Sequence, residues 1–174
     1  MHSLLKKVTS FQDLTFDEMK NSMNQIMSGK ISSNLVSAFI TALAMKGETV
    51  DEISAAAQVL RENLTSVNTD KDVVDTCGTG GDGLKTFNIS TCASFVAAGA
   101  GIKIAKHGGR SVSSSSGSAD VLERLGVNVS IDHVKMKELV EHIGIGFMFA
   151  PNFHPAMKHV APIRKELGIR TIFN

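Results

Sequence analysis

At 174 residues, with 43% hydrophobic and 20% charged residues, the chain can bury a substantial core and has the composition of an ordinary globular protein. Lys+Arg 18 against Asp+Glu 17 leaves a formal net charge of +1, which argues against wholesale nucleic-acid binding and against a membrane-surface role. Cys77 and Cys92 form no C-x-x-C pair, which argues against a disulfide framework or a zinc site.

Residues 1 to about 66 read as helices. Thr15-Phe16-Asp17-Glu18 and Thr49-Val50-Asp51-Glu52 each match a capping box, in which a threonine hydroxyl and a glutamate carboxylate satisfy each other's free backbone N–H groups. Apolar residues then recur at helical spacing, as Met19, Met23, Ile26 and Met27, as Leu35, Val36, Phe39, Ile40 and Leu43, and as Ile53, Ala56, Ala57 and Leu60. Gly29 and Gly47 stand where helices should stop. So thin a bundle cannot hide all its apolar surface, and the excess is expected to pack on a second domain or another subunit.

From Val73 the pattern changes to short apolar strands alternating with helices. Strands are expected at 73–74, 102–105, 127–129, 145–149 and 171–173, with helices at about 89–99, 118–125, 133–142 and 155–167. The reading is α/β: a small amino-terminal helical domain over 1–68, then a mostly parallel sheet with flanking helices over 69–174. Ligands belong at the carboxyl ends of such strands. A sheet that stops at Asn174 without a covering helix leads to the expectation of truncation. No apolar run reaches the about 18 residues of a membrane span, and Met1–Lys7 lacks a signal-peptide core, so a cytoplasmic protein is expected.

Two glycine clusters sit at expected strand ends. In Asp75-Thr76-Cys77-Gly78-Thr79-Gly80-Gly81-Asp82-Gly83, glycines let the backbone approach an anion, and the helix N-terminus that follows adds unpaired N–H groups. Asn88, Ser90 and Thr91 crowd that helix start; capping explains one of them. Ser90 or Asp82 offers a hard oxygen to a divalent metal. The spacing matches neither the G-x-x-x-x-G-K-S/T nor the G-x-G-x-x-G phosphate loop, so ATP and NAD are poor candidates. Cys77 reads as a small buried filler at a strand end rather than a nucleophile.

The second cluster, Lys106-His107-Gly108-Gly109-Arg110-Ser111-Val112-Ser113-Ser114, gathers three potential cations ahead of further serines ending at Ser118. A flexible serine linker is the alternative reading. The stretch is pinned between a strand and a helix, and cations with many small donors suit a highly charged sugar phosphate. His107 is a general acid or base or, with no carboxylate partner evident, a positioning group. His133, His142, His154 and His159 attract no functional assignment.

At these residues the chain resembles the anthranilate phosphoribosyltransferase family, which joins anthranilate to phosphoribosyl pyrophosphate (PRPP) in tryptophan biosynthesis. The resemblance runs through GTGGD at 78–82, NIST at 88–91, Lys106 to Asp120, Phe149 to Met157 and Arg164 to Asn174. It implies that Gly78, Gly81, Asp82, Thr86, Asn88, Ile89, Ser90, Thr91, the Lys106 to Ser114 loop and Ser118 hold PRPP. It further implies that Ser90 ligates magnesium, that Gly78, Gly109 and Arg164 meet anthranilate, and that Asp82, Ser90 and Lys106 stabilise the transition state. From the residues alone, Arg164 reads as a solvated helix charge. The family usually carries asparagine where Gly109 stands, and its Asp-Glu pair for a second magnesium has no counterpart here. Asp17-Glu18 and Asp51-Glu52 are explained by capping and the helix dipole.

The resemblance implies attack of the anthranilate amine on the ribose anomeric carbon as pyrophosphate leaves, in a homodimer joined through the amino-terminal helices. Two alternatives stand beside it: a non-catalytic PRPP-binding or assembly fragment, and a pyrimidine nucleoside phosphorylase-like enzyme.

Overall fold

Both threonine capping boxes close in the computed structural model, which describes residues 1–69, 72–77, 87–110 and 117–173. Thr15 N–H donates to Glu18 Oε2 at 2.8 Å and Glu18 N–H to Thr15 Oγ1 at 3.2 Å, starting α2 (Phe16–Met27). Thr49 and Glu52 repeat the exchange at the start of α4 (Val50–Glu62). With α1 (His2–Thr9) and α3 (Ser33–Lys46) these helices form the first part of one unit, Met1–Leu64. The expected stops hold: Gly47 ends α3 at φ +83°, and Gly29 follows α2 at φ +70°. A Cβ on Gly29 would lie 2.6 Å from His159 Nδ1, so only glycine admits that ring.

By its packing, the segment from His154 onward is part of this same compact unit. Val160 and Ile163 join Met19, Met23, Phe39, Leu43 and Val59 in one buried cluster, with Ile172 and Phe173 packed against it. This returning segment covers part of the surplus apolar surface of the thin bundle. The expected strand at 171–173 is therefore a turn, its Phe173 N–H donating to Thr171 Oγ1 at 3.4 Å. The single helix expected over 155–167 divides into a 3-10 turn, Pro155–His159, and α9 (Ala161–Leu167). Pro162 is the reason, since a residue without an N–H cannot extend the preceding turn.

Glu52 does more than cap. It is fully buried, and its carboxylate also accepts Leu14 N–H and the Lys46 ammonium, each at 2.9 Å. Burial pushes its pKa up, but the Thr49 and Leu14 N–H groups and Lys46 outweigh that and hold it below the ordinary carboxylate range.

The second unit, Thr65–Phe153, holds α5 (Ile89–Gly99), β1 (Ile104–Gly108), α6 (Ser118–Arg124), α7 (His133–His142), β2 (Ile145–Phe149) and the short α8 (Ala150–Phe153). β1 and β2 pair in parallel, with Ile104 opposite Ile145 and Gly108 opposite Phe149. Val74 adds a parallel bridge on the far side of β1. Successive residues point to opposite faces, so α7 packs through Met136 and Val140 on one face and α6 through Ala119 and Leu122 against Phe147 on the other. A Cβ on Gly146 would lie 2.8 Å from Val140, which explains the glycine there.

Residues 127–129 form no strand. Gly126 turns at φ +83°, Val127 N–H closes the last turn of α6 on Leu122 O, and Asn128 takes Ser130 N–H at 2.9 Å. The segment contributes the buried Val129 side chain to the core. Among the described residues no helix is long and apolar enough to cross a membrane.

Candidate functional site

Three parallel segments deliver their carboxyl ends to one rim of the second unit. Val74 N–H donates to Lys103 O at 2.9 Å and Ala105 N–H to Val74 O at 3.0 Å, so Asp75 and Thr76 emerge beside Lys106 to Gly108. Asn88 caps α5 there, its Oδ1 accepting Thr91 N–H at 3.0 Å and the Ser90 hydroxyl at 3.1 Å. Its amide nitrogen reaches Ser118 Oγ, at the first residue of α6, at 3.5 Å. The described parts of the two glycine-rich loops thus converge.

Lys106 is the buried cation of this rim, only 3% exposed. Its ammonium donates to Thr76 O and lies 3.4 Å from Thr76 Oγ1 and 3.3 Å from Ser90 Oγ. Burial pushes the Lys106 ammonium below the ordinary lysine range, against the opposing pull of Asp75 and Cys77. Thr76 and Ser94 were not singled out from the sequence. Thr76 Oγ1 lies 2.5 Å from Ser94 Oγ and donates to Ser90 O at 3.0 Å, so these two hydroxyls set the α5 start against the Lys106 end. The signal was there: Ser94 follows Ser90 by one helical turn.

The three expected cations do not gather. Strand alternation turns His107 to the face opposite Lys106, and its backbone N–H donates to Asp75 Oδ1 at 3.1 Å. Arg110 turns to α6, pairing with both oxygens of Glu123, one at 2.7 Å, and lying 3.6 Å from Asp120. Its guanidinium also sits 5.4 Å over the Phe149 ring. Two carboxylates and an aromatic face thus hold the charge expected for a ligand.

Gly108 is tightly enclosed, since a Cβ would come within 3.1 Å of Phe147 and 3.3 Å of Ser118. Gly109 is not: a Cβ there meets nothing within 4 Å, and its carbonyl accepts Ala119 N–H at 3.1 Å. Thr91 is buried and its hydroxyl bonds to no described residue. Ile89 is exposed on the outer side of α5, and Cys77 is exposed rather than a buried filler. Arg164 lies on α9 in the helical unit, partly buried rather than solvated, and burial lowers its pKa. Gly78, Gly81, Asp82, Thr86, Ser111, Val112, Ser113 and Ser114 lie outside the described residues.

No group of three or more His, Cys, Asp or Glu that could hold a metal occurs among the described residues. The Ser90 hydroxyl, a single hard oxygen beside a buried ammonium, fits a magnesium ion carried by a polyphosphate rather than one caged by protein.

Comparison with known proteins agrees with this architecture. Residues 2–64 match the helical bundle domain of the glycosyl transferase family, and residues 70–174 match that family's a/b domain. The anthranilate phosphoribosyltransferase of Nitrosospira multiformis is 58% identical over 171 residues, covering 98% of this chain and 49% of that protein. The enzyme of the same name from Polynucleobacter necessarius is 59% identical over 172 residues, covering 98% and 50%. The crystal structure of the Thermus thermophilus enzyme superposes with a TM-score of 0.88 at 42% identity, over 97% of this chain and 52% of that one. The Saccharomyces cerevisiae enzyme, solved in complex with PRPP and Mg, gives 0.88 at 34% identity, over 98% and 52%. The chain spans about half the length of the relatives it matches. Carrying both domains in the family's order, the chain belongs to the glycosyl transferase family.

Proposed function

We propose that this chain holds PRPP at the rim of its second unit and takes part in phosphoribosyl transfer to anthranilate. One observation carries the reading: a buried lysine ammonium stands beside the N-terminus of α5, tied through Asn88 to the start of α6. Helix N–H groups, small hydroxyls and a buried cation suit a diphosphate. By the family resemblance, Gly78, Gly81, Asp82, Thr86 and Ser111 to Ser114 complete the cradle, and Gly109 and Arg164 meet anthranilate. The same resemblance supports a homodimer joined through the amino-terminal helices.

In the reaction the C–N bond to the anomeric carbon forms as its C–O bond to pyrophosphate breaks, and the amine releases a proton to solvent. Arylamines are neutral at pH 7, so no strong base need activate the nucleophile. The work of the protein is to position two substrates and stabilise the charge leaving on pyrophosphate, a role for Lys106 and the α5 N–H groups. Ser90 would hold a magnesium ion carried by the diphosphate, which would supply further neutralisation of the leaving charge.

Titration calorimetry with PRPP and Mg2+ tests the cradle, and loss of anthranilate fluorescence in the presence of PRPP tests turnover. No heat of binding refutes the reading. Binding without anthranilate consumption favours the second reading, a PRPP-binding fragment, which the half-length match supports. Phosphate-dependent release of a base from a pyrimidine nucleoside would instead favour a phosphorylase.

A further inference from the structure

At 7 residues α6 is too short to hold itself, because an isolated helix of that length is unstable in water. Its place is set by what it is tied to. Ala119 and Leu122 settle its apolar side against Phe147. Its polar side is tied to the two residues that follow β1. Gly109 O accepts Ala119 N–H at 3.1 Å in the first turn, and the Arg110 guanidinium pairs with both oxygens of Glu123 one turn later. Ala119 and Glu123 stand at i and i+4 and share a helix face, so consecutive residues of one strand end grip consecutive turns of that face. Asp120 joins the two grips: its Oδ2 accepts Gly117 N–H at 2.9 Å, and its Oδ1 lies 3.6 Å from Arg110. The Phe149 ring, at the end of β2, backs the guanidinium at 5.4 Å.

The residue of α6 that reaches the site is Ser118, whose hydroxyl lies 3.5 Å from the Asn88 amide nitrogen. Asn88 Oδ1 in turn orders Thr91 N–H and the Ser90 hydroxyl. A helix held at one point pivots about it, and a second hold stops the pivot. We propose that Arg110 is a positioning residue: through Glu123 and Asp120 it fixes the direction of α6, so that Ser118 stays against Asn88 and the start of α5 keeps its shape for a diphosphate. This inference rests on the PRPP reading above. The rival role is a ligand cation that Glu123 withholds. It fits worse, because two carboxylates and an aromatic face must be given up to turn the guanidinium towards an anion. The two roles predict opposite signs. Under positioning, neutralising Glu123 weakens PRPP binding; under withholding, it frees Arg110 and strengthens binding.

Titration calorimetry of the full chain with PRPP and Mg2+ reads the sign. Glu123→Gln and Arg110→Met should each raise the dissociation constant about fivefold, the upper range for an exposed charge pair, and the double variant should raise it no further, since both changes remove one interaction. Combining Arg110→Glu with Glu123→Arg reverses the pair, keeps the net charge of the trio with Asp120, and should return the constant to within about twofold of its starting value. A cation that the ligand needs at position 110 would not be replaced by that exchange. The Arg110 and Glu123 side chains are 53% and 37% exposed, so all these variants should unfold within about 2 °C of the starting chain. Lys137→Met, which breaks the exposed pair with Glu141 in the same unit, should leave the affinity unaltered. Tighter binding by Glu123→Gln, additive losses in the double variant, or no recovery in the exchanged pair would overturn the proposal. If the starting chain gives no heat with PRPP, the PRPP reading fails and amide exchange at Ala119 decides the positioning role by itself. Glu123→Gln should speed that exchange about fivefold, and an unchanged rate overturns the proposal.

Discussion

Replacing Lys106 with methionine should separate binding from stability. The ammonium is 3% exposed, and its described partners are a carbonyl and two hydroxyls, none of them a carboxylate. Its folded-state pKa lies below the ordinary lysine value, so the folded chain is penalised for keeping it charged at neutral pH. That penalty is full below the depressed pKa and fades as pH rises from it towards the unfolded value. Lys106→Met, of similar length and apolar, removes the penalty and leaves stability unchanged or raised. A charge-assisted hydrogen bond to a diphosphate oxygen is worth about 1.5–3 kcal/mol, so the dissociation constant for pyrophosphate should rise about 10- to 100-fold. Calorimetry at fixed ionic strength reads the first quantity and urea unfolding the second. Pyrophosphate affinity should also decline with rising pH earlier than an ordinary lysine would allow, an arm missing from the variant. A stability loss above about 1 kcal/mol with unaltered affinity would refute the reasoning, marking Lys106 as a structural strut.

Glu52→Gln removes one of the two carboxylates that hold the Lys46 ammonium, the other being Asp13 at 2.7 Å, and should cost about 2 kcal/mol in urea unfolding; adding Lys46→Met should restore part of it. Since the Glu52 pKa is lowered, its contribution is complete at neutral pH and is lost as pH falls below the unfolded value of 4.5 through the depressed one, which acid titration of helix content would follow. Asn88→Ala should cost about 1 kcal/mol as a lost cap and speed amide exchange at Thr91. Gly108→Ala should cost about 1–3 kcal/mol by crowding Phe147, while Gly109→Ala at an open position changes thermal unfolding little; equal costs would contradict the packing described.

Local signals carried most of what the sequence revealed. The capping boxes at Thr15 and Thr49 and the helices α2 to α4 depend on neighbours a turn apart and formed as read, but the buried face of α4 is Glu52, Ala55, Ala56 and Val59, with Ile53 and Ala57 of the expected set exposed. Tertiary choices were less legible. Residues 127–129 and 171–173 have strand-like composition, yet the first closes a helix turn and the second covers the bundle core. At the site, convergence of the NIST helix start with Ser118 was legible because both follow strand ends. The scattering of Lys106, His107 and Arg110 followed from two facts that motif reading overlooked. β1 runs on to Gly108, so its period of two parts Lys106 from His107, and Glu123 waits one helix later for Arg110.

The helical unit draws its core from two pieces of sequence separated by the whole of the second unit. As the ribosome extrudes the chain, residues 1–64 emerge long before Val160 and Ile163, which are buried with them. The bundle's interior therefore stays open during synthesis until the intervening unit has been made, reversing the usual amino-terminal-first order. Cutting the chain near residue 65 would not release a finished bundle, and frameshifts that spare the sheet but lose the final turns would injure the opposite end of the protein.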